Sequence, residues 1–214
     1  MREHTRTDQP AIDVTQATVV SGADEAARAV LALTGLRRAC RLLGRDPGSQ
    51  RTVVLGSGRV AALTAALLDR AGVRHLTVLD AGSGPAALAL GAREAEVLVD
   101  LSGQEPEELL GAMSETPVVL SLPGQGRARR GATQRAAVYA TPGSTPARSA
   151  LGEGLEEAGQ LTPEALLAAA DAVCALLRPD WSFASALPDP ADRRLTEVVA
   201  RAVAASAQPA TSAA

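Results

Sequence analysis

The segment Thr52-Val-Val-Leu-Gly-Ser-Gly-Arg-Val-Ala61, followed by an apolar run that closes on Asp80, constrains this chain more than any other stretch. It reads as a β-strand, a glycine turn, a helix and a second strand ending in a carboxylate. Those parts in that order hold a dinucleotide at the first crossover of a parallel sheet. Gly56 suits the tight turn, Gly58 lets backbone approach a pyrophosphate, and the small Ala61 lets helix and strand lie close. Gly56, Ser57, Gly58, Arg59 and Val60 form the candidate phosphate loop, where free N–H groups and the helix dipole favour an anion. Asp80 stands 24 positions after Gly56, near the spacing at which an acidic side chain reaches a ribose 2′-hydroxyl. A helix cap or a solvated turn is the competing role for that carboxylate.

Length and composition narrow the rest. The 214 residues fit one α/β domain, and a 46% hydrophobic share, mostly Ala, Leu and Val, supplies its core. A net charge of -3, with no basic stripe interleaved with aromatics, argues against nucleic acid as a partner. No apolar run approaches the roughly 18 residues of a membrane span, and the polar start lacks a secretory core. A cytoplasmic protein without a membrane partner is therefore expected. Cys40 and Cys174 stand far apart in apolar helical contexts and read as core residues of a reduced protein, with no metal site implied. All 21 basic residues are arginine, and asparagine is absent. That excludes a lysine Schiff base or acid within this chain and leaves His4 and His75 for imidazole chemistry.

Along the chain, residues 1–13 are polar and read as a loose N-terminus, and Val14 to Val20 suits a short strand. Helical spacing runs from Glu25 to Leu43, with a break into two helices expected near Gly35. Further strands are expected at 76–79, 96–100, 117–122 and 136–139, with helices at 59–71, 85–92, 105–113, 147–158, 163–177 and 193–205. Gly72 suits a left-handed helix end, and Thr162-Pro163-Glu164 a helix start. Strands that are continuous apolar runs, alternating with helices, predict an α/β fold: a three-layer Rossmann-like domain, mostly parallel, with helices on both faces. That domain spans 14–187, followed by a linker and helix at 188–205 and a loose tail at 206–214. Ligands on such a sheet bind beyond the carboxyl ends of the strands. Those ends, at 56–60, 80–84, 100–103, 122–126 and 140–144, are all rich in Gly, Ser, Thr, Asp or Pro.

Two resemblances bear on function. Leu79-Asp-Ala-Gly-Ser-Gly84, followed by Val97-Leu-Val-Asp100, resembles the first motif of S-adenosylmethionine-dependent methyltransferases. This implies that Gly82 and its neighbours cradle the methionine part and that Asp100 holds the ribose. The dinucleotide assignment ranks first because it uses both glycine loops in order, whereas the methyltransferase one leaves Thr52 to Gly58 without a task. Glycine loops kept merely for close packing are the structural alternative to both. The second resemblance is to the NAD(P)-binding domain of shikimate dehydrogenase-type enzymes, carried by Thr34-Gly35 ahead of Val53-Val-Leu-Gly-Ser-Gly58 and by Ala137-Val-Tyr-Ala-Thr-Pro-Gly143. It implies an oxidoreductase acting by hydride transfer on a small carbonyl, hydroxy, imine or amine substrate. In that family a domain with a catalytic lysine and aspartate normally comes first; here about 30 residues precede the Thr34-Gly35 helix, and lysine is missing. Where the family often shows Asn-Arg-Thr after strand two, this chain has Asp80-Ala-Gly82, which favours NAD over NADP because a carboxylate repels a 2′-phosphate.

The remaining candidates each carry two roles. Asp100 can bound the adenine pocket or cap the turn after its strand. Ser102, Ser121 and Thr141 can bind nicotinamide or substrate, or serve as turn residues. Tyr139 is the one phenol available as a proton donor, against a packing role. Arg127 and Arg130, with Arg129 and Arg135, can clamp an anionic substrate or form a solvated basic loop. His75 precedes strand two on the side away from the crevice and reads as a surface or packing residue. Trp181 and Phe183 read as core or oligomer contacts. A homo-oligomer, a partner chain supplying acid–base groups, and a non-catalytic nucleotide-binding subunit or sensor all remain open.

Overall fold

Short runs of Val and Leu with no polar alternation must be covered on both faces, and the sheet satisfies that demand. In the computed structural model, residues 22–103, 107–122, 136, 138–140, 150–159, 161–176, 187–188 and 192–207 are described. Five parallel strands, β1 (Arg51–Leu55), β2 (His75–Leu79), β3 (Val97–Asp100), β4 (Val118–Ser121) and β5 (Val138–Ala140), lie in the order β2-β1-β3-β4-β5. The helices are α1 (Ala23–Leu42), α2 (Gly58–Arg70), α3 (Pro85–Gly91), α4 (Glu107–Ala112), α5 (Ala150–Ala158), α6 (Pro163–Leu176) and α7 (Arg194–Ser206). The expected strand at Val14 to Val20 lies outside the described residues.

Alternate strand residues face opposite layers, as the two-residue period of a strand requires. Val54, Val97, Val99, Val118 and Leu120 pack into the larger core with α1, α2, α5, α6 and α7. Val53, Leu55, Leu98 and Val119 face a smaller core with Leu88 of α3, Leu109 and Leu110 of α4, and Met113. The doubly wound, three-layer α/β architecture expected from the sequence is thus present.

The glycine at 35 overturns a local expectation. α1 runs unbroken from Ala23 to Leu42, with Asp24 and Glu25 in its first turn and Arg41 in its last complementing the helix dipole. Gly35 does not interrupt it, because its task is clearance. A Cβ there would stand 2.9 Å from Leu187 Cδ2 and 3.1 Å from Leu120 Cδ2, so the bare backbone lets α1 settle on β4. Gly72 ends α2 as expected, with φ +92. The Val73 N–H donates to Leu68 O at 3.1 Å and the Gly72 N–H to Asp69 O at 2.9 Å, satisfying the last carbonyls of the helix. At the start of α6 the Thr162 hydroxyl accepts from the Ala165 N–H at 3.2 Å.

Exposed ion pairs, Arg37–Asp171 and Arg70–Glu164, join α6 to α1 and α2. Pairs of this kind contribute about 0–1 kcal/mol each, so apolar burial carries the assembly. α7 completes the larger core by burying Leu195, Val199 and Val203. It crosses α5 at Gly154, where an added Cβ would stand 2.6 Å from the Thr196 carbonyl oxygen and 3.0 Å from its Cα. Because the obstacle is backbone, Gly154→Ala should destabilise the fold by about 1–3 kcal/mol. Urea titration should show a lower midpoint with an unchanged m-value; an unchanged midpoint would contradict the close crossing.

Cys40 lies buried in α1, and burial pushes its thiol up from the ordinary 9.0 to about 11, with Arg45 opposing and Asp46 and Glu96 adding to the shift. Burial likewise raises Cys174, against the opposing charges of Arg37, Arg38 and Arg41 and a hydrogen bond with Thr34. The unfolded chain therefore loses the Cys40 proton first, and stability falls as pH rises from about 9 to about 11. Denaturant titrations at stepped pH should show this fall, and Cys40→Ala should show a shallower one over the same window.

Candidate functional site

The strand order places a change of direction between β1 and β3. β2 lies on one side of β1 and β3 on the other, so the loops leaving β1 and β3 diverge and open a crevice at their carboxyl ends. Backbone bonds carry the sheet ladder into these loops. The Gly56 N–H donates to Leu79 O at 2.9 Å, the Leu101 N–H to Leu55 O at 2.8 Å, and the Leu122 N–H to Asp100 O at 2.7 Å.

At the crevice floor Gly56 is buried, and a Cβ on it would stand 3.1 Å from Leu101 Cβ and 3.8 Å from Ala61 Cβ. The loops after β1 and β3 and the start of α2 therefore meet where no side chain fits. Ser57 precedes α2 in extended conformation (φ -134, ψ 168) and makes no side-chain cap, and the first turn carries no acidic residue. Gly58 takes φ +69, a left-handed value that strains any other residue, with nothing within 4 Å of where its Cβ would be. Ser57, Gly58 and Arg59 are exposed and Val60 is half-buried. The first turn of α2 therefore has no side-chain cap, is uncrowded around Gly58, and carries the exposed Arg59.

Asp80 ends β2 next to this space, since Leu79 is both the register partner of Leu55 and the acceptor for Gly56. It is exposed, and its Oδ1 accepts from the Gly82 N–H at 2.9 Å, forming a turn with Ser83 N–H on the Asp80 carbonyl at 2.9 Å. The turn role engages one carboxylate oxygen, Oδ1. Gly82 is exposed in the same loop.

Asp100 is fully buried. Its Oδ1 accepts from the Ser102 N–H at 2.9 Å, the Ser102 hydroxyl at 2.6 Å and the Gly103 N–H at 3.1 Å, so it organises the loop after β3. Oδ2 is buried without a hydrogen-bond partner among the described residues, as is the hydroxyl of Ser121, its register partner on β4. Both stand on the side of the sheet covered by α3 and α4, in line with Leu55.

The structure thus brings Gly56, Ser57, Gly58, Arg59, Val60, Asp80 and Gly82 to the carboxyl ends of β1 and β2, with Asp100 and Ser102 at the end of β3. The Tyr139 backbone lies on β5, paired with Val119, three strands from β1 and so about 14 Å across the sheet. The Tyr139 side chain, Thr141, Arg127 and Arg130 lie outside the described residues. His75 is exposed at the amino end of β2, the opposite end of the sheet. Among the described residues, no group of His, Cys, Asp and Glu is placed to hold a metal ion, and no helix is long and apolar enough to cross a membrane. Sequence reasoning missed a second concavity, at the amino ends of β1 and β2, that brings Arg51, Arg74, His75 and Arg93 together. Strand register is the signal that joins them, and no motif announces it.

No family model matches the chain, and no curated protein matches its sequence. Solved structures do. The malic enzyme of Pyrococcus horikoshii Ot3 superposes with a TM-score of 0.67 at 18% identity, covering 86% of this chain and 53% of that one. The NAD-dependent malic enzyme of Thermotoga maritima gives 0.67 at 18% identity, covering 85% and 58%. The malic enzyme of Entamoeba histolytica gives 0.67 at 20% identity, covering 85% and 47%. This chain spans about half the length of these enzymes. The likeness shows a shared fold of the Rossmann type.

Two loop glycines separate backbone need from mere clearance. Gly58 and Gly84 both have open space around a would-be Cβ, but Gly84 has φ -64. Gly58→Ala should cost about 1–2 kcal/mol, while Gly84→Ala should stay within about 0.5 kcal/mol of the parent. Paired denaturation curves test this, and equal costs would contradict the left-handed assignment at Gly58.

Proposed function

We propose that the chain binds a nicotinamide dinucleotide at the carboxyl ends of β1 and β2 and serves hydride transfer on a small hydroxy, carbonyl, imine or amine substrate. The observation that carries this is the uncapped start of α2, cleared by Gly56 and Gly58 at the sheet's change of direction, with the Asp80 carboxylate alongside. The N–H groups after Ser57 donate to the pyrophosphate, and Arg59 balances its charge. The second oxygen of Asp80 accepts from a ribose hydroxyl, and its charge disfavours a 2′-phosphate, so NAD is preferred to NADP. When bound, the cofactor supplies the hydride-accepting carbon; the protein holds it against a substrate beyond β4 and β5. Tyr139 as proton donor and Thr141, Arg127 and Arg130 as substrate contacts complete the proposal.

Because the structural neighbours are malic enzymes, malate is the first hydroxy acid to try. A second reading, a nucleotide-binding subunit whose partner chain brings the acid–base groups, is supported by the lack of lysine in the sequence. The methyltransferase alternative is less well supported, because the loop from Asp80 to Gly84 follows the edge strand β2, whereas the Gly56 loop occupies the change of direction.

Thermal-shift titration with NAD, NADP and S-adenosylmethionine tests the reading, since a ligand specific to the folded state raises its stability by mass action. NAD should stabilise most, and Asp80→Ala should weaken it roughly ten- to a hundredfold. Stabilisation by S-adenosylmethionine alone would sink the proposal. NADH oxidation with a panel of carbonyl acids, and NAD reduction with malate, then separate enzyme from subunit; NADH binding with flat traces favours the subunit.

A further inference from the structure

We infer that the concavity at the amino ends of β1 and β2 is an anion site, built for a small molecule with two or more negative charges on oxygen. It is independent of the crevice at the other end of the sheet, about 15 Å away along five-residue strands. The cavity measures about 390 Å³, within the range of small-molecule sites. Arg51, Arg74, His75 and Arg93 line it, and none of its lining residues is acidic.

Strand pairing and the adjoining turns assemble these side chains. Arg51 and His75 are register partners that begin β1 and β2, and β2 is the outermost strand among the described residues, with both side chains exposed. The Arg74 N–H donates to Gly48 O at 3.2 Å, fixing the turn that enters β2. From the other side, the turn between α3 and β3 brings Arg93 into the wall.

Neighbouring carboxylates are already engaged. Glu94 Oε2 accepts from Arg51 at 2.8 Å, and Glu96 Oε2 accepts from the Arg51 backbone N–H at 3.0 Å and stands 3.9 Å from its side chain. Arg74, His75 and Arg93 have no acidic partner among the described residues. Two arginines and a histidine without acidic partners among the described residues therefore line one concave space. Concave walls focus that potential, and planar forks match phosphate and carboxylate oxygens.

The backbone beside the cavity is held in an uncommon conformation. Glu94 takes φ +60, the left-handed value seen for one non-glycine residue among those described. Its N–H donates to Ala112 O at 3.1 Å, and Arg51 holds its side chain. Such strain of about 1–3 kcal/mol persists where surroundings enforce it, and it clusters at ligand clamps. Here it turns the chain immediately after Arg93, and the Glu94 side chain pairs with Arg51.

The test is isothermal titration of the full chain in low-salt chloride buffer with inorganic phosphate, pyrophosphate and succinate. At least one should bind saturably at a single site. Preference for the first two identifies a phosphorylated compound, and preference for succinate a dicarboxylate. The double variant Arg74→Gln/Arg93→Gln should weaken binding at least tenfold, while Arg201→Gln, on the exposed face of α7, should leave it unchanged. Thr77→Glu, which places a carboxylate in the cavity wall, should abolish binding. Glu94→Gln should strengthen it severalfold by releasing Arg51. Absence of saturable binding with all three probes overturns the inference. So does pyrophosphate binding that survives the double variant, which would place the anion at the α2 crevice instead. NAD stabilisation unchanged in the double variant shows that the two sites are separate.

Discussion

The position of β1 between β2 and β3 is the constraint on which the rest of the molecule depends. Its residues Thr52 to Leu55 are buried, and it bonds to a neighbour on each side. Because the two neighbours follow it in sequence by routes on opposite sides, their loops part company at its carboxyl end. Ligands on sheets of this class bind at such a divergence, and the bare Gly56 lets the loop after β3 and the start of α2 pack closely at its base. The same pairing sets Arg51 beside His75 at the amino end. One strand thus defines two concave surfaces of opposite character: backbone N–H groups with an acidic neighbour at one end, and guanidinium groups at the other.

Much of this was legible in the residues. Apolar runs without alternation read as buried parallel strands because only such strands hide both faces. Gly72 and Thr162 read as helix ends because their chemistry is local: a left-handed backbone and a hydroxyl acceptor act within a few residues. The crevice was legible for the same reason, since Gly56, Gly58 and Asp80 belong to one continuous unit. Gly35 was misread because its role depends on Leu120 and Leu187, which no local pattern links to it. The amino-end cavity was invisible on the same principle. Arg51, Arg74 and Arg93 are separated in sequence, and the pairing of β1 with β2 together with the turn between α3 and β3 makes them neighbours.

Asp100 shows how a sequence can offer two roles that a structure partly reconciles. As a strand-end carboxylate it was a candidate for both turn capping and ligand binding. Three donors on Oδ1 account for the capping role, and the second oxygen remains buried beside the Ser121 register position. Asp80 divides its labour similarly, with one oxygen in the local turn and an exposed position at the crevice. Malic enzymes share this fold at 18–20% identity, so agreement lies in the arrangement of layers more than in individual side chains.

The close crossing of α7 on α5 has a consequence for how the chain reaches this state. α1, near the beginning of the described residues, shares its core with Leu195, Val199 and Val203, so that core closes only when α7 docks. During synthesis the sheet and its first helices emerge with one apolar face still uncovered. The contact between Gly154 and Thr196 leaves no slack for α7 to dock one turn out of place. That contact joins residues 42 positions apart in the sequence, so forming it costs chain entropy that helix propensity does not offset. Until it forms, the nascent chain exposes a surface rich in Ala, Leu and Val, the kind that chaperones hold.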